Sequence, residues 1–411
     1  MTRAVVTGLG AVTPLGIGVD AFWDGLTAGR SGIRQIQSFD TADLEVKIAG
    51  EVPDFNPADF MDPKMARRMD RFAQFAVAAS REAIESSGLE ITDENRDRIG
   101  IMVNTGGGGI PTIGNEVRVM AERGPKRVSS LLIPMFAPNM ASCQVAINLG
   151  IHGPTVTSVA ACAAGVQAFV DAVYMIERGD ADVVITGGTE AGIMPVAIAG
   201  LTNMRALSRR NDDPAAASRP FDLDRDGFVF SEGAAVAVLE SEEHAARRGA
   251  TAIAYAHGGS YTSDAFHITA PDPTGRGATM AMRGAMRRAE LAPEDIDYIA
   301  AHATSTTIGD IAETKAIKNA LGDAAYKVAI SANKSMLGHL LGAAGAVSSL
   351  ACILAIRDGI VPPTINLETP DPECDLDYTP NVARKMEVKA ALANGFGFGG
   401  QNACAAFTAA D

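Results

Sequence analysis

Cysteine is scarce in this chain and never paired. Cys143, Cys162, Cys352, Cys374 and Cys404 are spread through 411 residues, odd in number and without a C-x-x-C motif. That excludes a disulfide framework and a cysteine-based zinc site, and fits a reducing cytoplasm. Positive charge is also short: 35 Lys and Arg against 49 Asp and Glu leave a net charge of −14. Non-specific nucleic-acid binding is therefore excluded, and any acidic partner needs a local basic patch. Low-complexity segments and interdomain linkers are absent. No apolar run is both long and unbroken. "HLLGAAGAVSSLACILAIRDG" (339–359) comes nearest, but Gly and Ser interrupt it, so it reads as a helix buried in protein with no membrane insertion. The opening "MTRAVVTGLGAVTPLG" has too short an apolar run for a signal peptide. It also lacks G-x-G-x-x-G and puts Pro14 where a helix would begin, against dinucleotide binding. "GGGG" at 106–109 has no G-K-[ST] after it and reads as a pocket-lining turn, not a phosphate loop.

What remains is ordinary globular material, 47% hydrophobic with a mean hydropathy of +0.10, enough for one large core or two joined ones. Short apolar runs alternate with helical patterns, which argues for an α/β architecture. "RAVVTGLG", "RIGIMVN", "PTVTSVA", "ADVVITGG", "AAVAVLE", "AIAYAHGGSY", "IDYIAAH", "KVAISAN" and "KAALANGFGF" read as strands. Helices are expected at 64–87, 164–178, 242–248, 275–290, 309–320 and 338–358.

The chain also resembles itself. "DGFVFSEGAAVAVLE" (226–240) aligns without gaps on "NGFGFGGQNACAAFT" (394–408). The stretch 158–180 parallels 331–359, and "SSGLEITDENRDRIGIMV" parallels "RAELAPEDIDYIAA", in the same order in each half. The expectation is a duplicated α/β unit, 1–250 carrying Cys162 and 251–411 carrying His302, Lys334 and His339.

Turn chemistry singles out three places. Cys162 follows a strand and opens a helix, where backbone N–H groups and the helix dipole favour a thiolate. Its neighbours Ala160, Ala161, Ala163 and Ala164 leave room for an acyl group. His302 ends a strand and precedes Thr304, Ser305 and Thr306. Lys334 and His339 flank a Gly-rich turn. Strand ends on one side of an α/β sheet are where such folds bind ligands. A duplication sets Cys162 and the Lys334–His339 turn at equivalent positions, facing each other. A thiol with two imidazoles suits acyl transfer followed by stabilisation of an oxyanion. His152, His244 and His257 read as structural or surface groups, and His267 stays undecided.

"VAACAAG", "HATST" with the following "GD", "NKSMLGHLLGAAGA" and "NGFGFGGQN" resemble the signature segments of the β-ketoacyl-[acyl-carrier-protein] synthases, of the elongating type II kind. The likeness covers essentially the whole chain. It implies a thiolase-like fold, a duplicated five-layered αβαβα architecture, and a homodimer that needs no cofactor, because its substrates ride on the phosphopantetheine of acyl carrier protein. It further implies that Cys162 takes the acyl chain as a thioester. His302 and His339 would bind the malonyl thioester and stabilise its enolate. N–H groups of Cys162 and Phe398 would form an oxyanion hole, and Lys334 would support the site through Glu313. Thr304 and Thr306 would contact the phosphopantetheine arm, with Thr269 lining its channel. Phe398 would gate the acyl pocket, with Phe396 and Phe228 excluding water beside it.

Ala161, Ala303, Leu337 and Gln401 depart from the family's usual threonine, glycine, threonine and threonine; Ala303 adds a Cβ beside His302. Gly107 falls where many relatives carry a bulky aliphatic residue, which points to a roomier acyl pocket. Lys64, Arg67, Arg68 and Arg71 fall at helical spacing on one face, either a solvated surface or a docking site for acidic carrier protein, with Arg205, Arg209 and Arg210 a second candidate. Three other readings compete. A thiolase needs a second cysteine in the C-terminal Gly-rich turn, where Phe398 stands instead; Cys404 lies in the strand beyond. A non-catalytic partner subunit would lack the nucleophile that Cys162 supplies. A polyketide ketosynthase acting alone is harder to exclude; with no fused acyltransferase or carrier domain in the chain, a free-standing type II enzyme is the economical reading.

Overall fold

The computed structural model describes residues 2–410. Among the described residues one continuous sheet has ten strands along its path: β1 (Ala4–Thr13), β2 (Ile99–Asn104), β3 (Thr155–Val156), β4 (Val183–Glu190), β5 (Gly233–Ser241), β6 (Ala254–Ser263), β7 (Tyr298–Ala300), β8 (Ala329–Ser331), β9 (Ala390–Gly397) and β10 (Gln401–Ala409). Their spatial order is β8-β7-β9-β10-β6-β1-β5-β4-β2-β3, with the short strand Gly16–Ile17 beside β1. Most are buried on both faces. They therefore read as continuous apolar runs and not as alternating patterns.

Counting outward from the central β1–β6 pair, both sides follow the same plan. The first strand of each side lies innermost, then the fifth, fourth, second and third. The inner pairings are antiparallel and the outer ones parallel on both sides. The self-similar stretches occupy matching places, β5 opening at Gly233 and β10 at its aligned partner Gln401.

Five helices complete the layers: α1 (Arg71–Ser87), α2 (Ala164–Glu177), α3 (Arg276–Arg288), α4 (Thr307–Leu321) and α5 (Ala344–Asp358). α1 covers β1 and β5 from outside, and α3 covers β6 and β10 with α4 against it. Between the two sheet halves, α2 and α5 pack on each other and on strands from both. Every residue of α5 from Ala344 to Ala355 is buried. The membrane-like stretch is thus the central helix of the core. The five layers are as expected; the two sheets, however, are hydrogen-bonded into one through Ala4–Val6 and Ala254–Ala256.

Three expectations need correction. The helix expected over 64–87 is two: a short Pro63–Ala66 turn capped by Asp62, then α1 capped by Asp70, which accepts from Phe72 N–H. "PTVTSVA" keeps only two strand residues, because Asn104 Oδ1 accepts Ser158 N–H at 2.7 Å and draws the chain out of the sheet. The 338–358 helix begins six residues later, after Lys334–Leu337 and a 3₁₀ turn at Leu341–Ala343. Helices at Val19–Thr27, Ile110–Arg123, Met140–Leu149 and Pro195–Asn203 had no sequence expectation.

Candidate active site

Cys162 sits in a 3₁₀ turn, Ala161–Ala163, that opens α2. The turn is entered through Ala161 at φ 47°, a left-handed conformation costly for a residue with a Cβ. Asn104 holds the turn from β2, its Nδ2 donating to Ala164 O at 2.9 Å. From the opposite side Gly397 presses on it: a Cβ there would lie 2.9 Å from Ala160 O and 3.1 Å from Cys162 N. Only glycine fits, which accounts for the "GFGFGG" turn. That turn brings Phe398 N–H, together with the N–H of Cys162 itself, onto the cysteine sulfur.

His339 arrives from the other half. Its backbone bridges to 229–231, with His339 N–H donating to Val229 O at 2.7 Å and Ser231 N–H to His339 O at 3.0 Å. Its Nε2 then lies 3.0 Å from Cys162 Sγ. Phe228, from the same bridging segment, packs edge-on against the His339 ring at 5.2 Å between centroids. His302 stands 5.5 Å from His339 and 5.5 Å from Phe396, ring to ring. Among the described residues, Nδ1 of neither histidine has a hydrogen-bond partner.

Glu313, on α4, accepts from His302 N–H at 2.8 Å and Ala303 N–H at 2.6 Å, and Asn394 Nδ2 donates to it at 3.0 Å. Lys334 Nζ donates to His302 O at 2.5 Å. Lys334 and Glu313 favour each other's charge, and both also hold the His302 backbone, Lys334 at its carbonyl and Glu313 at its N–H. Ala303, between them, is held at φ 26°.

Electrostatics corrects one expectation. The helix start does not leave Cys162 a ready thiolate: burial pushes its pKa up to about 11, against the opposing pull of Lys334 and the two N–H groups. Burial also holds both imidazoles well below their usual value, helped by the Lys334 charge. Lys334 itself is lowered by burial to about 8, so it is predominantly a cation at neutral pH. The resting pair is a thiol beside a neutral imidazole.

Cys162, His302 and His339 open onto a cleft of about 340 Å³ that is also lined by Phe228, Thr269, Thr304, Thr306, Phe396, Phe398, Glu313 and Arg205. Thr304 and Thr306 hydroxyls are 3.0 Å apart, and Phe398 is 36% exposed at the rim. Gly107 does not line this cleft; a Cβ there would come within 2.6 Å of Ile110 Cδ1, so Ile110 fills the space the glycine leaves. Lys64, Arg67 and Arg68 are exposed, but Arg71 is not part of their face. It is turned inward on the other side of the Asp70 cap. Arg71 pairs with Glu232 at 2.8 Å, donates to Val52 O at 2.6 Å and lies over the Phe55 and Phe75 rings. His152 and His244 pair with Asp97 and Glu240, and His257 with Thr408. His267 accepts from Thr269 and Ala270 N–H within its own loop. Among the described residues no group of three His, Cys, Asp or Glu is placed to hold a metal.

Sequence reasoning missed the groups that hold this architecture. Arg225, 1% exposed, donates to Thr306 O, Thr307 O and Asp222 O and pairs with Asp371 and Asp310, fixing the threonine loop. Asp264 accepts from Asn402 Nδ2 at 2.7 Å and from Asp272 N–H, tying loop 264–272 to the Phe398 turn. Both lie in stretches that the family resemblance covers, "DRDGF" and "SDAFH". Cys404 is fully buried in β10 and lines no part of the cleft, which removes the thiolase arrangement.

The layered fold and this thiol–imidazole cleft define a thiolase-like α/β acyltransferase. Family models describing the N-terminal and C-terminal domains of β-ketoacyl synthase match residues 1–245 and 253–368, and the chain belongs to that family of condensing enzymes. Among curated proteins it is 51% identical over 405 residues to 3-oxoacyl-[acyl-carrier-protein] synthase 2 of Synechocystis sp., covering 98% of this chain and 97% of that one. Against the protein of the same name from Coxiella burnetii it is 48% identical, covering 97% of each chain. A β-ketoacyl synthase structure from Burkholderia phymatum superposes at TM-score 0.93 with 35% identity over 100% of both chains. A type II polyketide ketosynthase solved with its acyl-carrier protein superposes at 0.91 with 33% identity, again over 100% of both chains.

Proposed function

We propose that this chain joins an acyl group held on Cys162 to malonyl-[acyl-carrier-protein] by decarboxylating Claisen condensation, giving 3-oxoacyl-[acyl-carrier-protein] and CO₂ in fatty-acid elongation. The observation that carries the reading is the 3.0 Å contact between Cys162 Sγ and His339 Nε2 in a cleft that also holds His302. As the acyl thioester enters, the Cys162 proton passes to His339 and the sulfur attacks the acyl carbonyl carbon. The carbonyl oxygen is received by the N–H groups of Cys162 and Phe398. Collapse expels the phosphopantetheine sulfur, which takes the proton back.

Malonyl carrier then replaces it. Cleavage of the carboxylate bond releases CO₂ and leaves its electron pair as an enolate, whose oxygen accepts from the neutral His302 ring and from His339 once its single ring proton is carried on Nε2. The enolate carbon attacks the Cys162 thioester, and the cysteine sulfur leaves and regains a proton from solvent. Phe228, Phe396 and Phe398 keep water from quenching the enolate. Thr304, Thr306 and Thr269 hold the phosphopantetheine arm, and no resident cofactor is needed.

The division at about residue 250 gives each half one wall of the site. Exposed Lys64, Arg67, Arg68 and Arg205 supply positive charge for an acidic carrier protein on an otherwise acidic surface. Exposed Ile113, Val117, Met120 and Ile133, with the open edge of β3, form an apolar face that a second copy covers in a homodimer. Five free cysteines, four of them buried, fit a cytoplasmic setting.

Intact-mass spectrometry tests the reading. Incubation with acyl carrier thioesters is expected to add one acyl mass at Cys162, and malonyl carrier to remove it with formation of a 3-oxoacyl product. Acylation from acetyl-coenzyme A alone, or from no donor, would overturn it.

A further inference from the structure

Glu190 ends β4 and is fully buried, yet among the described residues it pairs with no cation. Its Oε2 accepts from Gly106 N–H at 2.8 Å and from Gly342 N–H at 3.0 Å. Gly107 N–H also reaches the carboxylate, and Thr105 Oγ1 lies 3.4 Å from Oε1. These donors come from both halves of the chain. Residues 105–107 follow β2, whereas Gly342 belongs to the Leu341–Ala343 turn that follows His339 and opens α5.

The two turns meet so closely that a Cβ on Gly342 would fall 2.1 Å from Gly106 N, and one on Gly106 would fall 2.6 Å from Glu190 Oε2. The N–H groups of Gly106 and Gly107 thus face that of Gly342 with no room for a second side chain, and the carboxylate is the acceptor between them. Leu341, which enters the turn at φ 44°, lines the cleft beside Cys162. The carboxylate charge also acts on the Cys162 sulfur in the sense opposite to Lys334, disfavouring its thiolate.

We propose that Glu190 is a positioning residue for the condensation: its carboxylate clamps the 105–107 loop to the turn after His339 and so fixes His339 and Leu341 against Cys162. Gly106 and Gly342 N–H both end on Oε2, and it is the second carboxylate oxygen that an amide cannot match. A glutamine would turn an NH₂ donor onto one of the N–H groups it must satisfy. The kinetic part of the argument rests on Cys162 being the acyl acceptor; the part concerning the cysteine's surroundings does not.

Two substitutions separate reach from charge. Glu190→Gln is expected to shift the pH profile of iodoacetamide alkylation at Cys162, followed by intact mass, to lower pH, and to lower kcat about tenfold with little change in KM for malonyl carrier. Glu190→Asp keeps the charge but shortens the reach. Its alkylation profile is expected to stay in place while kcat falls. A Gln variant with the wild-type profile, or an Asp variant with the wild-type kcat, overturns the proposal. Should neither variant fold, hydrogen exchange in the wild-type protein decides. Gly106 and Gly342 amides are expected to be strongly protected, and exchange as fast as in exposed loops overturns the clamp. Alkylation and exchange need no substrate, so they answer even for a protein that condenses nothing.

Discussion

His339 Nε2 lies 3.0 Å from Cys162 Sγ, although 177 residues separate them in the chain. The contact exists because the helices behind both, α2 and α5, pack on each other between the sheet halves. With the thiol pushed up to about 11 and the imidazole held neutral, the proposed reaction needs the ring to take the thiol proton at neutral pH. His339→Ala is therefore expected to slow acylation of Cys162 by about 10² or more, while Cys162→Ala abolishes it. Time-resolved intact mass reads both. An unchanged acylation rate in the His339 variant would show that the sulfur is activated some other way.

Lys334 gives a pH prediction with a definite sign. Its ammonium is among the groups that lower the Cys162 pKa, and burial brings its own pKa down to about 8. Below pH 8 the cation assists thiolate formation; above it the assistance fades as the amine deprotonates. Lys334→Met removes the charge at every pH, so the cysteine titrates higher than in the wild type. One unit of displacement is a factor of ten in thiolate, and about tenfold slower alkylation at pH 7 is expected. Because the wild type itself loses the charge, the two rates should converge above pH 9. A constant ratio across that range would locate the effect of Lys334 in its 2.5 Å hydrogen bond to His302 O and not in its charge.

Ala303 occupies φ 26° between His302 and Thr304, with its N–H held by Glu313 at 2.6 Å. A left-handed alanine costs roughly 1–2 kcal/mol that glycine avoids, offset in part by glycine's greater entropy when unfolded. Ala303→Gly is expected to stabilise the protein by about 0.5–1 kcal/mol, measured by denaturant unfolding, without loss of condensation. Destabilisation would mean that the Cβ packs in the core cluster to a degree that outweighs the strain.

The residues that the proposed reaction uses were legible because each sits at a turn that composition betrays: Cys162 among alanines, His302 before a run of hydroxyls, Lys334 and His339 around glycines. The sheet was legible for a related reason, since strands buried on both faces appear as unbroken apolar runs. What stayed hidden depends on contacts between distant backbone. Nothing local in "GGTEAG" marks Glu190, whose partner Gly342 lies 152 residues on and contributes only an N–H. The helix start at Cys162 is a local feature and was read; the burial that outweighs it is a property of the assembled core. Gly107 was read as vacant space, but the Ile110 side chain, one helical turn's start away, fills it.

Arg71 shows the same limit and gives the last prediction. Its spacing from Lys64, Arg67 and Arg68 suits one helix face only if the helix is continuous, and the Asp70 cap breaks it. Arg71 instead meets Glu232, a carboxylate 7% exposed, across 161 residues. Charge reversal therefore separates two roles within one short basic stretch. Lys64→Glu with Arg67→Glu and Arg68→Glu leaves stability nearly unchanged and raises KM for carrier-borne substrates, more at low salt than at high. KM for a short N-acetylcysteamine thioester should not move. Arg71→Glu sets two carboxylates against each other and is expected to cost about 3 kcal/mol or more of folding stability, visible in Tm before any kinetics are run. A triple variant with unaltered carrier KM would move the docking site to Arg205 and its neighbours at the cleft rim, where the same salt-dependence measurement applies.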